Sequence, residues 1–160
     1  MSEKTGGTLA VIRIRGSVGL DKEREYIFKL TRLNRKNHAV LVDGTLSNIG
    51  AIRKIKDYAT WGEVTDDTIL LLLEKRGMLE GGKKLTEAYA KEVLGYPSLK
   101  ELSQAIGDHK VKVKELPKVK PLFRLHPPTK GFHGSTRKPY PEGELGYRGD
   151  AINQLIAKMV

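Results

Sequence analysis

The chain has 160 residues, 39% hydrophobic and 30% charged, with no cysteine and a formal net charge of +10. That length supports one compact core with appendages, and the lack of cysteine excludes disulfides, thiolate metal sites and cysteine nucleophiles. The longest strongly apolar run, Ile69 to Leu73, falls far short of the ~20 residues that span a bilayer, and the opening MSEKTGG lacks the apolar run of a signal peptide, so a soluble intracellular protein is expected.

Leu9 to Arg15 (LAVIRIR) has the β-branched richness of a strand, with Ala10, Ile12 and Ile14 on one face and Leu9, Val11, Arg13 and Arg15 on the other. Asp21 is placed to cap a helix reaching about Asn34, striped by Ile27, Leu30 and Leu33. A polar turn, Asn34 to His38, leads to a short strand, Ala39 to Val42, and Asp43-Gly44 turns the chain. Thr45 or Ser47 then starts a second helix carrying Ile49, Ile52, Ile55 and Tyr58. Trp61, just beyond it, reads as a core or inter-segment anchor.

Three capped helices are predicted next: Thr65 through Arg76 with Gly77 behind it, Thr86 through Leu94 with Gly95, and one opened by Ser98 and Glu101 and ended by Gly107. Lys110 to Leu116 alternates as a short strand would. Leu122 to Leu125 is the better candidate for the strand that completes the sheet, turning Phe123 and Leu125 toward the helices and Arg124 and His126 away. His126 to Asp150 is rich in glycine and proline and carries too few aliphatics for a core, so it is expected to be an open loop, with His126 to Pro141 mobile when free and ordered by a partner. Asp150 is expected to cap a last helix with a stripe of Ile152, Leu155, Ile156 and Met159, docked on the domain.

The expectation is an α+β fold: a small three-stranded sheet with two helices on one face, a β-α-β-α-β core ferredoxin-like in outline, with a helical insertion and a C-terminal loop-helix extension. Residues 1–65 would supply the β-α-β-α part of the core, 66–108 the insertion, and 109–160 the final strand, basic loop and terminal helix. Charge follows the same partition: 12 Lys/Arg against 7 acids, then 6 against 8, then 11 against 4. Basic ends around an acidic middle point to a polyanion that meets the ends and leaves the middle free.

Candidate contacts fall into three groups. Arg13, Arg15, Arg124 and His126 would share an open sheet face as a phosphate platform, although edge arginines also pair with carboxylates. Arg32, Asn34, Arg35, Lys36, Asn37 and His38 follow the first helix, where cations also complement the helix dipole. Lys130, His133, Arg137, Lys138 and Tyr140, with Tyr147 and Arg148, interleave cations with aromatics and glycine, a composition suited to structured RNA. His126 and His133, without cysteines or a nearby carboxylate pair, make no metal site. No phosphate loop, dinucleotide fingerprint, nucleophile-base-acid arrangement or paired catalytic carboxylates occur, which argues for a binding protein without a cofactor rather than an enzyme. A small-molecule-binding regulatory α/β module is the alternative.

VIRIRG at 11–16, RLNRKNH at 32–38, Asp57-Tyr58 with Thr60-Trp61-Gly62, LLLEKRG at 71–77, FRLHPPTKGF at 123–132 and GELGYRGDAINQLIAKM at 143–159 resemble one family. It is the large-subunit ribosomal protein family numbered thirty in bacteria and archaea and seven in eukaryotes, and the likeness runs from about residue 8 to the end. The length and helical insertion look archaeal. The resemblance implies a three-stranded sheet with two helices on one side and a structural role in the cytoplasmic ribosome. It further implies large-subunit ribosomal RNA and neighbouring ribosomal proteins as partners, with the 5S RNA nearby.

Overall fold

A computed structural model describes residues 6–160; the expectation for the first five residues lies outside the described residues. The elements are β1 (Thr8–Arg13), α1 (Lys22–Leu30), β2 (His38–Asp43), α2 (Leu46–Lys54), β3 (Ala59–Glu63), α3 (Asp66–Arg76), α4 (Glu87–Tyr89, continued by a π-helical turn, Ala90–Leu94), α5 (Leu99–Gly107), β4 (Phe123–Arg124), β5 (Ser135–Pro139), β6 (Gly143–Tyr147) and α6 (Ala151–Met159). The caps expected from sequence hold the helix starts. Asp21 Oδ1 accepts from Arg24 N–H at 3.0 Å, Thr45 Oγ1 from Asn48 N–H at 3.2 Å, and Ser98 Oγ from Glu101 N–H at 3.3 Å. Asp150 is the exception: its backbone is already helical and its carboxylate caps nothing.

The fold is α+β as expected, but the sheet has six strands in the order β4-β2-β1-β3-β6-β5. β1 pairs antiparallel with β2 (Val11↔Val40) and β3 (Val11↔Trp61), and β4 adds antiparallel to the far edge of β2. Leu122 to Leu125 is therefore an outer strand, and Ala59–Glu63 supplies the third strand of the β-α-β-α-β core. The open loop foreseen for His126 to Asp150 is corrected as well. β6 runs parallel to β3, with Thr60 Oγ1 donating to Gly146 O at 2.8 Å, and β5 lies along β6 with a register shift.

Both faces of the central strands are covered. On one, Ile27 and Phe28 of α1, Leu33 just past it, and Ile49 and Ile52 of α2 lie over Leu9, Val11, Val40 and Trp61. On the other, Ile69, Leu72 and Leu73 of α3, Leu102 and Ile106 of α5, and Ile152, Leu155, Ile156 and Met159 of α6 cover Ala10, Ile12, Ala39 and Phe123. At roughly 1.5–3 kcal/mol for each fully buried aliphatic side chain, the α6 stripe alone favours docking over exposure. Gly62 admits the turn into α6: a Cβ there would lie 2.0 Å from Gly149 O. α1 and α2 thus take the Leu9 face, not the Ile12 face expected, and β1 is covered on both sides, while β5 at the sheet edge stays exposed.

Local expectations failed for local reasons. α1 stops at Leu30, which stays exposed, and Phe28 takes its place in the core. Lys110 to Leu116 holds no strand; Val113–Glu115 is a 3-10 turn that buries Val113 and Leu116. Among the described residues no helix is long and apolar enough to cross a membrane.

Candidate nucleic-acid interface

The register gathers one set of chain segments at one end of the sheet. Arg13 at the end of β1 faces Ala59 at the start of β3, and His38 at the start of β2 faces Arg124 at the end of β4. The segments leaving this end hold Arg15, Arg32, Asn34, Arg35, Lys36, Asn37 and His126. The opposite end carries Asp43 and Glu63, followed by Asp66 and Asp67, so the molecule is electrically polar along its strands.

The 31–37 segment is built by a helix stop without glycine. Arg32 sits at φ 64°, its N–H bonds Lys29 O at 3.2 Å, and Leu33 N–H bonds Phe28 O at 2.9 Å. This is a Schellman stop, sealed by contact between the buried side chains of Leu33 and Phe28. Asn37, at φ 66°, donates to Arg13 O at 2.8 Å and accepts from Leu125 N–H at 3.0 Å. Holding L side chains in the left-handed region costs on the order of 1–2 kcal/mol each, a cost glycine would avoid.

Arg13 does not belong to an open platform. It is 2% exposed, and its donors are committed: Nε to Arg15 O at 2.9 Å, Nη1 to Leu33 O at 2.7 Å and Nη2 to Ser17 Oγ at 3.0 Å. Its guanidinium lies 4.1 Å from the centre of the Phe28 ring. Burial pushes its proton affinity down. It holds the floor of the loop instead of meeting solvent. Arg15, half-buried, donates to Asp57 O at 3.1 Å and lies 5.2 Å over Tyr58.

The remaining cations at this end are not neutralised by the fold. On α1 and α2, Arg24 pairs with Asp21, Lys29 with Glu25 and Lys54 with Glu23. Arg32, Arg35, Lys36 and Arg124 are exposed and appear in no ion pair among the described residues. His38 registers this field. Burial first, then the charges of Arg124, Arg35 and Arg13, hold its pKa below the usual 6.5, and its Nδ1 is buried without a partner.

The arm from His126 to Asp150 contributes differently from expectation. Lys130, His133, Arg137 and Lys138 are exposed and Tyr140 is half-buried. His133 Nε2 lies 2.7 Å from Lys158 Nζ. Arg148 is 5% exposed, ion-paired with Glu144 at 2.8 Å, bonded to Thr60 Oγ1 at 2.8 Å and set 5.3 Å over the Tyr140 ring, so it fastens β6 and is removed from the solvent-facing candidates. Burial alone would raise the Glu144 pKa, but Gly134 N–H and Arg148 outweigh it and hold the carboxyl below its usual range. Tyr147 donates to Glu63 Oε1 at 2.7 Å, and His126 turns Nε2 to Val160 O at 2.7 Å and Nδ1 to Pro127 O. Both His126 nitrogens face carbonyl oxygens, of which a neutral imidazole donates to one, and among the described residues no group of three or more histidines and acids could hold a metal ion.

One set of cations escaped the sequence reading. Lys75 and Arg76 of α3 and Lys84 line a concavity of about 450 Å³ beside Arg124. Averaging charge over 66–108 hid them; the signal was Lys-Arg closing α3, eight residues ahead of Lys83-Lys84.

A covered α+β sheet with unneutralised cations gathered at one end defines a protein built to meet a polyanion. Residues 9–59 match the family described as Ribosomal protein L30p/L7e. The chain is 45% identical over 149 residues to the large ribosomal subunit protein uL30 of Methanopyrus kandleri, across 92% of this chain and 100% of that protein. It is 48% identical over 161 residues to the uL30 protein of Hyperthermus butylicus, across 94% and 89%, and 42% identical over 150 residues to that of Archaeoglobus fulgidus, across 94% and 98%. The chain belongs to the Ribosomal protein L30p/L7e family.

Proposed function

We propose that this chain is a structural constituent of the large ribosomal subunit, acting in translation in the cytoplasm by binding and stiffening ribosomal RNA alongside neighbouring ribosomal proteins. Its role is architectural and not catalytic. The observation that carries the reading is the set Arg32, Arg35, Lys36 and Arg124, exposed at one end of the sheet without counter-charges, while Arg24, Lys29 and Lys54 of α1 and α2 are paired. Phosphates are the missing counter-ions, and releasing the RNA's own condensed cations supplies the affinity. Arg15, Asn34, Asn37 and His38 complete this patch. On the arm, Lys130, His133, Arg137, Lys138 and Tyr140 form a second contact, with basic side chains on phosphate and an aromatic ring for an unstacked base. His126, Tyr147, Arg13 and Arg148 act behind them by positioning backbone. The family resemblance adds the 5S RNA as a neighbour within reach of the same surface. A small-molecule module is not favoured, because unpaired cations spread along an exposed sheet end do not converge on one small ligand.

The test is co-sedimentation with large subunits and filter binding to their RNA across a salt series. Co-sedimentation at low salt, stripping at high salt and a linear fall of log affinity with log salt are expected. Neutralising Arg35 and Lys36 together should flatten the slope by about 1.4–1.8, at 0.7–0.9 per lost phosphate contact. A slope indifferent to that pair would reject the interface. Addition of 5S RNA should protect the arm from proteolysis; no change would remove the 5S RNA from the reading.

A further inference from the structure

The helical segment 66–108 is acidic overall, yet it turns cations toward the basic end of the sheet. α3 lies against β4 through Leu72, Leu73 and Phe123, which share one core. Its last turn, with Lys75 and Arg76, therefore stands beside Arg124. Behind it a short hairpin turns at Gly81 and Gly82, at φ 84° and 80°, and bridges Met78 to Lys84. Leu79 N–H bonds Lys83 O at 2.6 Å, Leu85 N–H bonds Gly77 O at 3.0 Å and Lys120 N–H bonds Met78 O at 2.9 Å, so the hairpin is fixed on both sides. The concavity between these parts, about 450 Å³, is lined by Lys75, Arg76, Met78, Lys84, Arg124 and Val160. No acidic side chain lines it.

Complementing the helix dipole accounts for cations in the last turn of α3, but not for Lys84, which lies on the hairpin, or for Arg124, which lies on a strand. Among the described residues none of these four cations takes part in an ion pair or a side-chain hydrogen bond. Arg124 faces His38 across the β2–β4 pair, and His38 also feels Arg35. A single track of unpaired cations thus runs from Arg35 over Arg124 into the groove.

We propose that this groove is a second backbone-phosphate site, through which the helical segment grips an RNA strand continuing from the sheet end. The proposal rests on the RNA-binding reading above. It differs from the charge partition by thirds, under which Lys84 would be idle.

The test is the salt dependence of binding between the full chain and large-subunit ribosomal RNA transcribed in vitro. Arg76→Gln with Lys84→Gln should flatten the slope by about 1.4–1.8, and Lys84→Gln alone by about 0.7–0.9. The single variant alters an exposed side chain, so it keeps the test open if the Arg76 change unsettles α3. Lys91→Gln with Lys100→Gln, also exposed but away from the groove, should leave the slope at the wild-type value. If the groove variants also leave it there while the Arg35 and Lys36 variants flatten it, the groove proposal is overturned and the interface stands. If both sets leave the slope unchanged, the RNA-binding reading itself fails.

Discussion

Arg13→Met separates a cation that builds the interface from one that touches RNA. Methionine retains the length and apolar stem of the side chain but brings no donor and no charge. Leu33 O loses a charged donor at 2.7 Å and Arg15 O one at 2.9 Å, each worth about 1.5–3 kcal/mol. The contact 4.1 Å above Phe28 is lost as well, a further ~1–2 kcal/mol at a desolvated site. Against this stands the relief of no longer burying a guanidinium, several kcal/mol. The balance is a destabilisation of about 2–4 kcal/mol, or roughly 4–16 °C in melting temperature for a chain of this size. Urea unfolding and thermal melts measure it directly. The salt slope of RNA binding should stay at the wild-type value, because no phosphate contact is removed. A variant that melts with the wild type but shows a slope flatter by about 0.7–0.9 would refute the reasoning and return Arg13 to the RNA surface.

Three further outcomes follow from the same geometry. Leu155→Asp places a carboxylate in the buried stripe of α6, where a leucine contributes roughly 1.5–3 kcal/mol; fast amide exchange in α6 and weaker RNA binding through a released arm are expected, and lower stability with unchanged affinity would show that α6 serves the fold alone. Glu144→Gln leaves the Arg148 charge buried without a counter-ion, a loss of about 3–5 kcal/mol; because the Glu144 pKa is depressed, its stabilisation is complete above the unfolded value of ~4.3 and vanishes as pH falls through the folded one, so an acid titration should fall less steeply for the variant than for the wild type, and parallel curves would contradict this. For His38, burial first and then the charges of Arg124, Arg35 and Arg13 hold the free-state pKa below 6.5; a phosphate on Arg35 and Arg124 offsets the contribution of the charges. The pKa then rises on binding, a proton is taken up, and RNA affinity should increase as pH falls from the bound-state value toward the free-state value. Imidazole shifts in NMR spectra measure both values, and equal ones would place the phosphate elsewhere.

Much of the fold was legible because local rules decide it. Asp21, Thr45, Thr65 and Ser98 each stand where a side-chain oxygen can accept from the third N–H onward, and each helix starts there. What was not legible depended on distance along the chain. β3 reads ATWGE, short and interrupted by Gly62, and that glycine is explained by Gly149 approaching it in the turn before α6. β6 finds β3 across more than eighty residues, fixed by the bonds of Thr60 to Gly146 O and Arg148, which no periodicity announces. The placing of α1 and α2 on the wrong face had a readable warning. All six residues of β1 are buried, and its apolar run is nearly continuous where a half-covered strand would alternate. Such a run signals cover on both sides.

Charge counting identified the basic end of the molecule but could not sort the cations that stand there. Arg13 ends β1 and Arg15 lies two residues beyond it, yet one is sealed under the 32–37 loop and the other, half-buried, donates to Asp57 O. The division has a physical logic. A guanidinium with carbonyl partners in fixed positions can hold a loop whose own backbone is strained at Arg32 and Asn37, and the same fixity denies it to a phosphate. An exposed cation without partners adds nothing measurable to the fold, and under the proposed function its counter-ion is a phosphate. The two kinds therefore depend on each other. Arg13 keeps Arg32, Arg35 and Lys36 displayed on a stiff loop, so that, under the proposed function, little ordering entropy remains to be lost on binding RNA.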